Sequence, residues 1–293
     1  MAGFPVGSPM DTVGCYGILP TQVRPRYYEA HDLIKAAWTR FGPFPFNGAF
    51  TKLRHVNLWP KPLQKPHPPI WLAGGGSVET WKFATDNIYT YSYPSFSGHK
   101  AAKNLIDGYW QQVERAGLDD NPFRAGFAQL VVVGETDKDT EKLYLKHLQN
   151  FYSKSMPIPQ HMLATPGCIN KQNVAYNLTK GDSCANPFPD PYKATWADFT
   201  EKSNILIGGS AATVAEQIEA AAHNLRVGHL MVILQIQSMG RELTEYNPRS
   251  FADKVLPKLR GLWDKEGYID HWWPLGVTRN RAASLSSARG KAA

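Results

Sequence analysis

Short apolar runs alternate with longer stretches of helical periodicity along most of this chain. The first run, residues 2–6, is ended by Gly7, Ser8 and Pro9. Residues 27–38 read as a helix with Ala30, Leu33, Ile34, Ala37 and Trp38 on one face. Residues 70–73 form a second apolar run, followed by Gly74-Gly75-Gly76-Ser77 and a helix from 78 to about 86. Residues 88–93 predict a strand with Tyr89, Tyr91 and Tyr93 on one face and Thr90 and Ser92 on the other. An amphipathic helix over 100–116, a Val-rich strand over 126–134 and a helix over 138–154 follow. Residues 204–207, a Gly208-Gly209-Ser210 turn, a helix over 211–225, an apolar strand over 229–237 and a closing helix over 251–263 complete the pattern. This rhythm predicts βα units around a parallel sheet, the units beginning at Ala2, Ile70, Ile88, Gly126 and His229.

The rhythm lapses twice. Residues 41–69 carry Pro43, Pro45, Pro60, Pro62, Pro66, Pro68 and Pro69, a density that excludes helix; residues 50–59 suit one arm of a small hairpin. Residues 155–201 are again irregular, broken by prolines, with a short helix expected at 172–178. An insert of that length in a compact domain suits a lid over a binding site, for which Phe188, Tyr192 and Trp196 offer apolar cover, or else a disordered segment or a surface excursion with no role.

Composition narrows the class. Of 293 residues, 43% are hydrophobic, which is globular rather than disordered. The formal charge of +7 reads as scattered, its one concentrated stretch being the tail with Arg279, Arg281, Arg289 and Lys291. No aromatic-basic recognition motif accompanies that tail, so nucleic acid is not an expected partner, and residues 271–293 are read as a solvated, disordered end. Cys15, Cys168 and Cys184 are too few and too widely spaced for a disulfide framework or a Cys-x-x-Cys metal site, and no metal is expected. The first residues lack a signal-peptide pattern and no run is long enough to span a membrane, so a soluble, cytoplasmic setting without a membrane partner is the expectation.

Two turns suit an anion. Gly74, Gly75, Gly76 and Ser77 end a strand and open a helix, where amide N–H groups point outward and the helix dipole favours negative charge; Ser77 and Thr80 add hydroxyls. An ordinary strand-to-helix turn with Ser77 as N-cap accounts for the same residues. Gly208-Gly209-Ser210 is the rival, in the position after late strands where barrels commonly hold phosphate. Gln235 and Gln237 share a face of the last apolar run with Met231 and Ile233, and read either as pocket lining or as partners of neighbouring loops. Tyr91 and Tyr93 suit the same mouth or the core.

The stretch Phe46-Asn47-Gly48-Ala49-Phe50, then Trp59-Pro60-Lys61-Pro62-Leu63-Gln64-Lys65-Pro66-His67-Pro68-Pro69-Ile70-Trp71-Leu72-Ala73-Gly74, resembles the luciferase-like flavin-dependent monooxygenases. So do Arg26–Ile34 before it, and Ile207-Gly208-Gly209-Ser210 with Val214–Ile218 after it, so the resemblance covers about residues 2–263. It implies an α/β fold of the (β/α)8 TIM-barrel type, here incomplete, starting near strand four, with Pro-rich insertions. Residues 1–270 are then one partial barrel domain, interrupted at 155–201. It further implies an oxidoreductase using reduced FMN and molecular oxygen on an organic substrate, and it leaves room for a flavin reductase and a homo-oligomer as partners. The resemblance points the flavin phosphate to the turn after strand five, Gly74, Gly75, Gly76 and Ser77 with Thr80, while the barrel rule for strand ends offers Gln235 and Gln237, with Tyr91, for the ring or substrate pocket. No catalytic residue is carried over. The readings it competes with are a truncated or accessory flavin-binding chain and a deazaflavin-dependent oxidoreductase.

Overall fold

The computed structural model describes residues 1–95, 98–155 and 190–273. The helix expected at 172–178, Phe188, Cys168, Cys184 and the basic tail lie outside these. Six strands form one wholly parallel sheet: β1 (Ala2–Gly3), β4 (Ile70–Ala73), β5 (Thr90–Pro94), β6 (Ala125–Gly134), β7 (Leu206–Ser210) and β8 (His229–Ile233). Five of them begin the five βα units that the apolar rhythm predicts. The sixth, β7, takes up the Gly208-Gly209-Ser210 turn as strand. A separate antiparallel hairpin, β2 (Phe44–Asn47) with β3 (Lys52–Val56), fills the first Pro-rich lapse.

β6 organises the sheet. Its run Leu130–Gly134 is apolar without alternation, as a strand covered on both faces must be. Along one edge, β5 pairs residues 125–128 and β7 pairs residues 130–134. Along the other edge β8 pairs residues 126–130 only. Beyond β8 the upper part of that edge is completed by one side chain. Val133 N–H donates to Asn247 Oδ1 (2.8 Å), and Asn247 Nδ2 donates to Val131 O (2.9 Å) and Leu234 O (2.7 Å). Asn247 is fully buried and so substitutes for a missing stretch of strand ladder.

Helices α1 (Pro20–Thr39), α2 (Val78–Asn87), α3 (Ala102–Arg115), α4 (Asp137–Lys154) and α5 (Ala211–Leu225) follow the expected order. α1 begins seven residues earlier than its apolar stripe suggests, because Pro20 sits at its first position, where a missing N–H costs nothing. An unpredicted α6 (Arg241–Ser250) precedes a π-turn (Phe251–Val255) and a last helical turn (Leu256–Leu259), where a single closing helix was expected. The outer face of the sheet packs Tyr89, Tyr91, Tyr93, Ala125 and Phe127 against Trp81 of α2, Ile106, Tyr109 and Val113 of α3, and Leu225 of α5. Around the upper half of β6, Leu130 and Val132 meet Tyr144 and Leu148 of α4, with Phe199 from the end of the 155–201 region, Ile205 from just before β7, and Ile236 and Met239 from beyond β8. Trp196 lies against Gly208 there, while Tyr192 is exposed.

The sheet is a half-barrel: β1 and β8 end it and do not pair with each other. On the inner face of β8, Met231 and Ile233 are exposed.

Replacing Asn247 by Ala orphans one buried N–H and two buried carbonyls. The expected loss of stability is roughly 2–4 kcal/mol, read as a lower urea midpoint with an unchanged slope.

Candidate functional site at the end of the fourth strand

At the C-terminal end of β4 the chain turns through Gly74–Ser77 into α2. Tyr91, fully buried and stacked on Tyr109 (4.8 Å between centroids), donates from its hydroxyl to Gly74 O (2.6 Å). Burial holds the phenol well above its ordinary pKa, so it stays a donor. Tyr91 therefore belongs to the core, the second of its two readings, rather than to the pocket; it braces the turn from the outer face of the sheet. Gly76 has φ +102°, and a Cβ there would lie 2.5 Å from Leu105 Cδ2, so this is the glycine the turn requires. Gly75 is exposed, has an ordinary φ and meets nothing within 4 Å of a Cβ position, which leaves its backbone open to an approaching group.

Ser77 stands at the N-cap position of α2 but its side chain makes no capping bond. Instead Arg24, projecting from the first turns of α1, donates through its guanidinium to Ser77 Oγ (2.9 Å) and more loosely to Thr80 Oγ1 (3.4 Å). Arg24 forms no ion pair among the described residues. Glu79 accepts from Ser77 Oγ, and that bond, with a backbone N–H of its own turn and the Arg24 charge, outweighs desolvation and lowers its pKa. A half-buried cation, two hydroxyls and a helix N-terminus thus converge on one spot, with an exposed carboxylate already drawn to it. Arg24 is the residue that sequence reasoning missed. It lies 53 positions from Ser77, and nothing in the local pattern of α1 distinguishes it from Arg26.

The rival turn is already satisfied. Ser210 N–H donates to Asp137 Oδ1 (2.6 Å), Thr213 Oγ1 to Asp137 Oδ2 (3.2 Å), and Ser210 Oγ accepts from Thr213 N–H as an N-cap. The Ser210 amide in turn holds the Asp137 carboxyl below its usual range. A Cβ at Gly209 would lie 2.6 Å from that carboxylate, so no space is left for an anion.

On the inner face of the sheet, cross-strand register places Trp71 beside Thr90, and Ala73, Ser92, Gly126 and His229 in one row. Thr90 Oγ1, Ser92 Oγ and Trp71 Nε1 are buried without a hydrogen-bond partner. Gln235 and Gln237 lie just past the end of β8: Gln235 donates to the carbonyl of Ile236 (3.2 Å) and Gln237 accepts from Ser155 Oγ. Both are exposed and neither approaches the Gly74–Ser77 turn through a hydrogen bond. No cluster of metal-ligating side chains occurs among the described residues.

The sequence profile of the luciferase-like monooxygenases matches residues 4–229, and the chain belongs to that family. It is 24% identical over 251 residues to the FMNH2-dependent dimethylsulfone monooxygenase of Pseudomonas putida, covering 81% of this chain and 59% of the relative. The chain thus spans less than two thirds of the length of that curated relative. Among solved structures it shares the fold of the oxygenating component of 3,6-diketocamphane monooxygenase from P. putida, in complex with FMN (TM-score 0.60, 17% identity, 87% of this chain and 70% of that one). An F420-dependent secondary alcohol dehydrogenase is similar to the same degree (TM-score 0.57, 17% identity, 88% and 69%).

The two turn glycines should respond differently to a methyl group. Gly76→Ala is expected to destabilise the protein by roughly 1–3 kcal/mol, and Gly75→Ala by less than about 0.5 kcal/mol. Paired thermal melts test this; equal losses would contradict the geometry.

Proposed function

We propose that this chain binds a flavin nucleotide with its phosphate at the Gly74–Ser77 turn, and that the activity it serves is oxidation of a small organic substrate by reduced FMN and molecular oxygen. The observation that carries this reading is the Arg24 guanidinium, which makes no ion pair among the described residues and is bonded to Ser77 and Thr80 at the head of α2. In this arrangement Arg24 supplies the charge, Ser77 and Thr80 the hydroxyls, and Gly75 and Gly76 a backbone without side chains in the way. Glu79 holds the place of the anion and swings out when phosphate enters. The unpartnered hydroxyls of Thr90 and Ser92 fit polar atoms of a bound ring, and Gln235 and Gln237 edge the same mouth.

Reduced flavin, when bound, supplies the reaction with oxygen; the protein's part is to bind, orient and exclude water. The insert at 155–201 is read as the cover for that purpose, with the Trp196 end anchored on β7. A deazaflavin also carries a phosphate, so the anchor alone does not choose between cofactors. The FMNH2-dependent relative favours FMN. A flavin reductase, a homo-oligomeric assembly and a cytoplasmic setting go with this reading.

Titration with FMN and with riboflavin separates the phosphate from the ring. FMN should bind more tightly than riboflavin. Arg24→Ala should weaken FMN about tenfold or more, the loss of one charge-assisted contact, while leaving riboflavin unchanged. Glu79→Gln should strengthen FMN binding by removing the competing carboxylate. Equal affinity for the two flavins, or FMN binding indifferent to Arg24→Ala, would place the anchor elsewhere.

A further inference from the structure

The hairpin and the Pro-rich loop behind it carry an unusual surface. Residues 33–78 contain Lys35, Arg40, Lys52, Arg54, Lys61 and Lys65 and no Asp or Glu. The basic excess is therefore concentrated here as well as in the tail, which the sequence pattern alone did not bring out. None of these six makes an ion pair among the described residues. Glu29, on α1, is consumed by the amides of Phe50 (3.0 Å) and Thr51 (2.6 Å) at the hairpin tip. The same segment holds the most exposed large apolar side chains of the described chain outside its first residues: Phe41 at 97%, Leu63 at 92% and Trp59 at 70%.

Lys61 Nζ donates to Ala37 O near the end of α1 (2.7 Å), which ties the Pro-rich loop carrying Trp59 and Leu63 to the helix end that precedes Phe41. Arg40 lies over the Phe44 ring (4.9 Å), and Phe44 pairs with Val56 in the hairpin ladder. From there β3 runs out through Arg54, Leu53 and Lys52, all exposed. Phe41, Trp59 and Leu63 lie on the segments between the end of α1 and the start of β4, while the hairpin tip reaches back along α1 to Glu29 and Arg26.

We infer that this face docks the protein on an anionic lipid surface, with Phe41, Trp59 and Leu63 entering the interface and Arg40, Lys52, Arg54 and Lys65 facing the headgroups. Basic side chains around protruding aromatic and Leu residues are the composition that holds a protein in the bilayer interface without spanning it. Among the described residues no helix is long and apolar enough to cross a membrane. A second copy of the chain is disfavoured as the occupant because it would oppose like charges without an acid to neutralise them. Nucleic acid would leave Leu53, Leu58 and Leu63 without a role. A shaped protein partner calls for a recess, whereas these side chains project from loops, which suits a fluid surface.

Co-sedimentation of the full chain with phosphatidylcholine vesicles, containing or lacking phosphatidylglycerol, tests this. Retention on the anionic vesicles only, falling as salt is raised, is expected. Leu63→Ser or Phe41→Ser should lower the partition roughly tenfold. Lys52→Glu with Arg54→Glu should lower it by about fivefold or more for each charge. Met231→Ser with Ile233→Ser, on the inner face of the sheet, should leave it unchanged. Circular dichroism of each surface variant should match that of the parent chain. Three outcomes would overturn the inference: equal retention on neutral vesicles, retention that survives the Leu63 and Lys52/Arg54 changes, or a self-associated chain that Leu63→Ser turns into monomer.

Discussion

Every buried backbone N–H and C=O needs a partner, and in this half-barrel that demand falls hardest on β6. The strand is ten residues long, while each strand beside it covers only part of its length. β5 and β7 divide one edge between them. On the other, β8 stops at Leu130 and the carboxamide of Asn247 finishes the ladder. Because the same carboxamide also holds Leu234 O, it sets where the chain leaves β8, and with that the position of Gln235. Removing a strand's worth of hydrogen bonds from an apolar site is far more expensive than ordering one side chain.

The contrast between the two glycine turns follows from the same accounting. Both end a strand and open a helix, and both display amides toward solvent. At Ser210 the amide is taken by Asp137, which belongs to the fold itself. At Ser77 the polar groups are brought to Arg24, and the carboxylate drawn in is an exposed side chain free to leave. One turn is finished as structure; the other retains a cation without an ion pair among the described residues, and open backbone. Function is legible in that remainder.

The family match and the proposed anchor rest on different parts of the molecule. The family match covers residues 4–229 as a whole. The proposed anchor depends on one helix, α1, delivering one arginine to the head of another, α2. The same helix holds the hairpin tip through Glu29 and the Pro-rich loop through Ala37 O, so a single helix joins the proposed anchor to the surface proposed to meet lipid.

Local periodicity determined the strands and most helices of this protein, because an apolar run of four to eight residues or a 3.6-residue stripe is written in consecutive positions. The resemblance in the Pro-rich lead-in supplied the family and directed attention to Gly74, Gly75, Gly76, Ser77 and Thr80. What the sequence could not express is anything settled between distant positions. Tyr91 alternates correctly with Thr90 and Ser92, yet only the packing of α3 decides which face is the core and turns it from a pocket candidate into a brace. α6 was missed because its purpose is Asn247, a polar residue that looks like surface until Val131 and Val133 are seen to lack a neighbour. Arg24 and Asp137, which tell the two glycine turns apart, reach them across 53 and 73 positions. Such contacts obey no period along the chain, because they are chosen by the geometry of helices laid side by side.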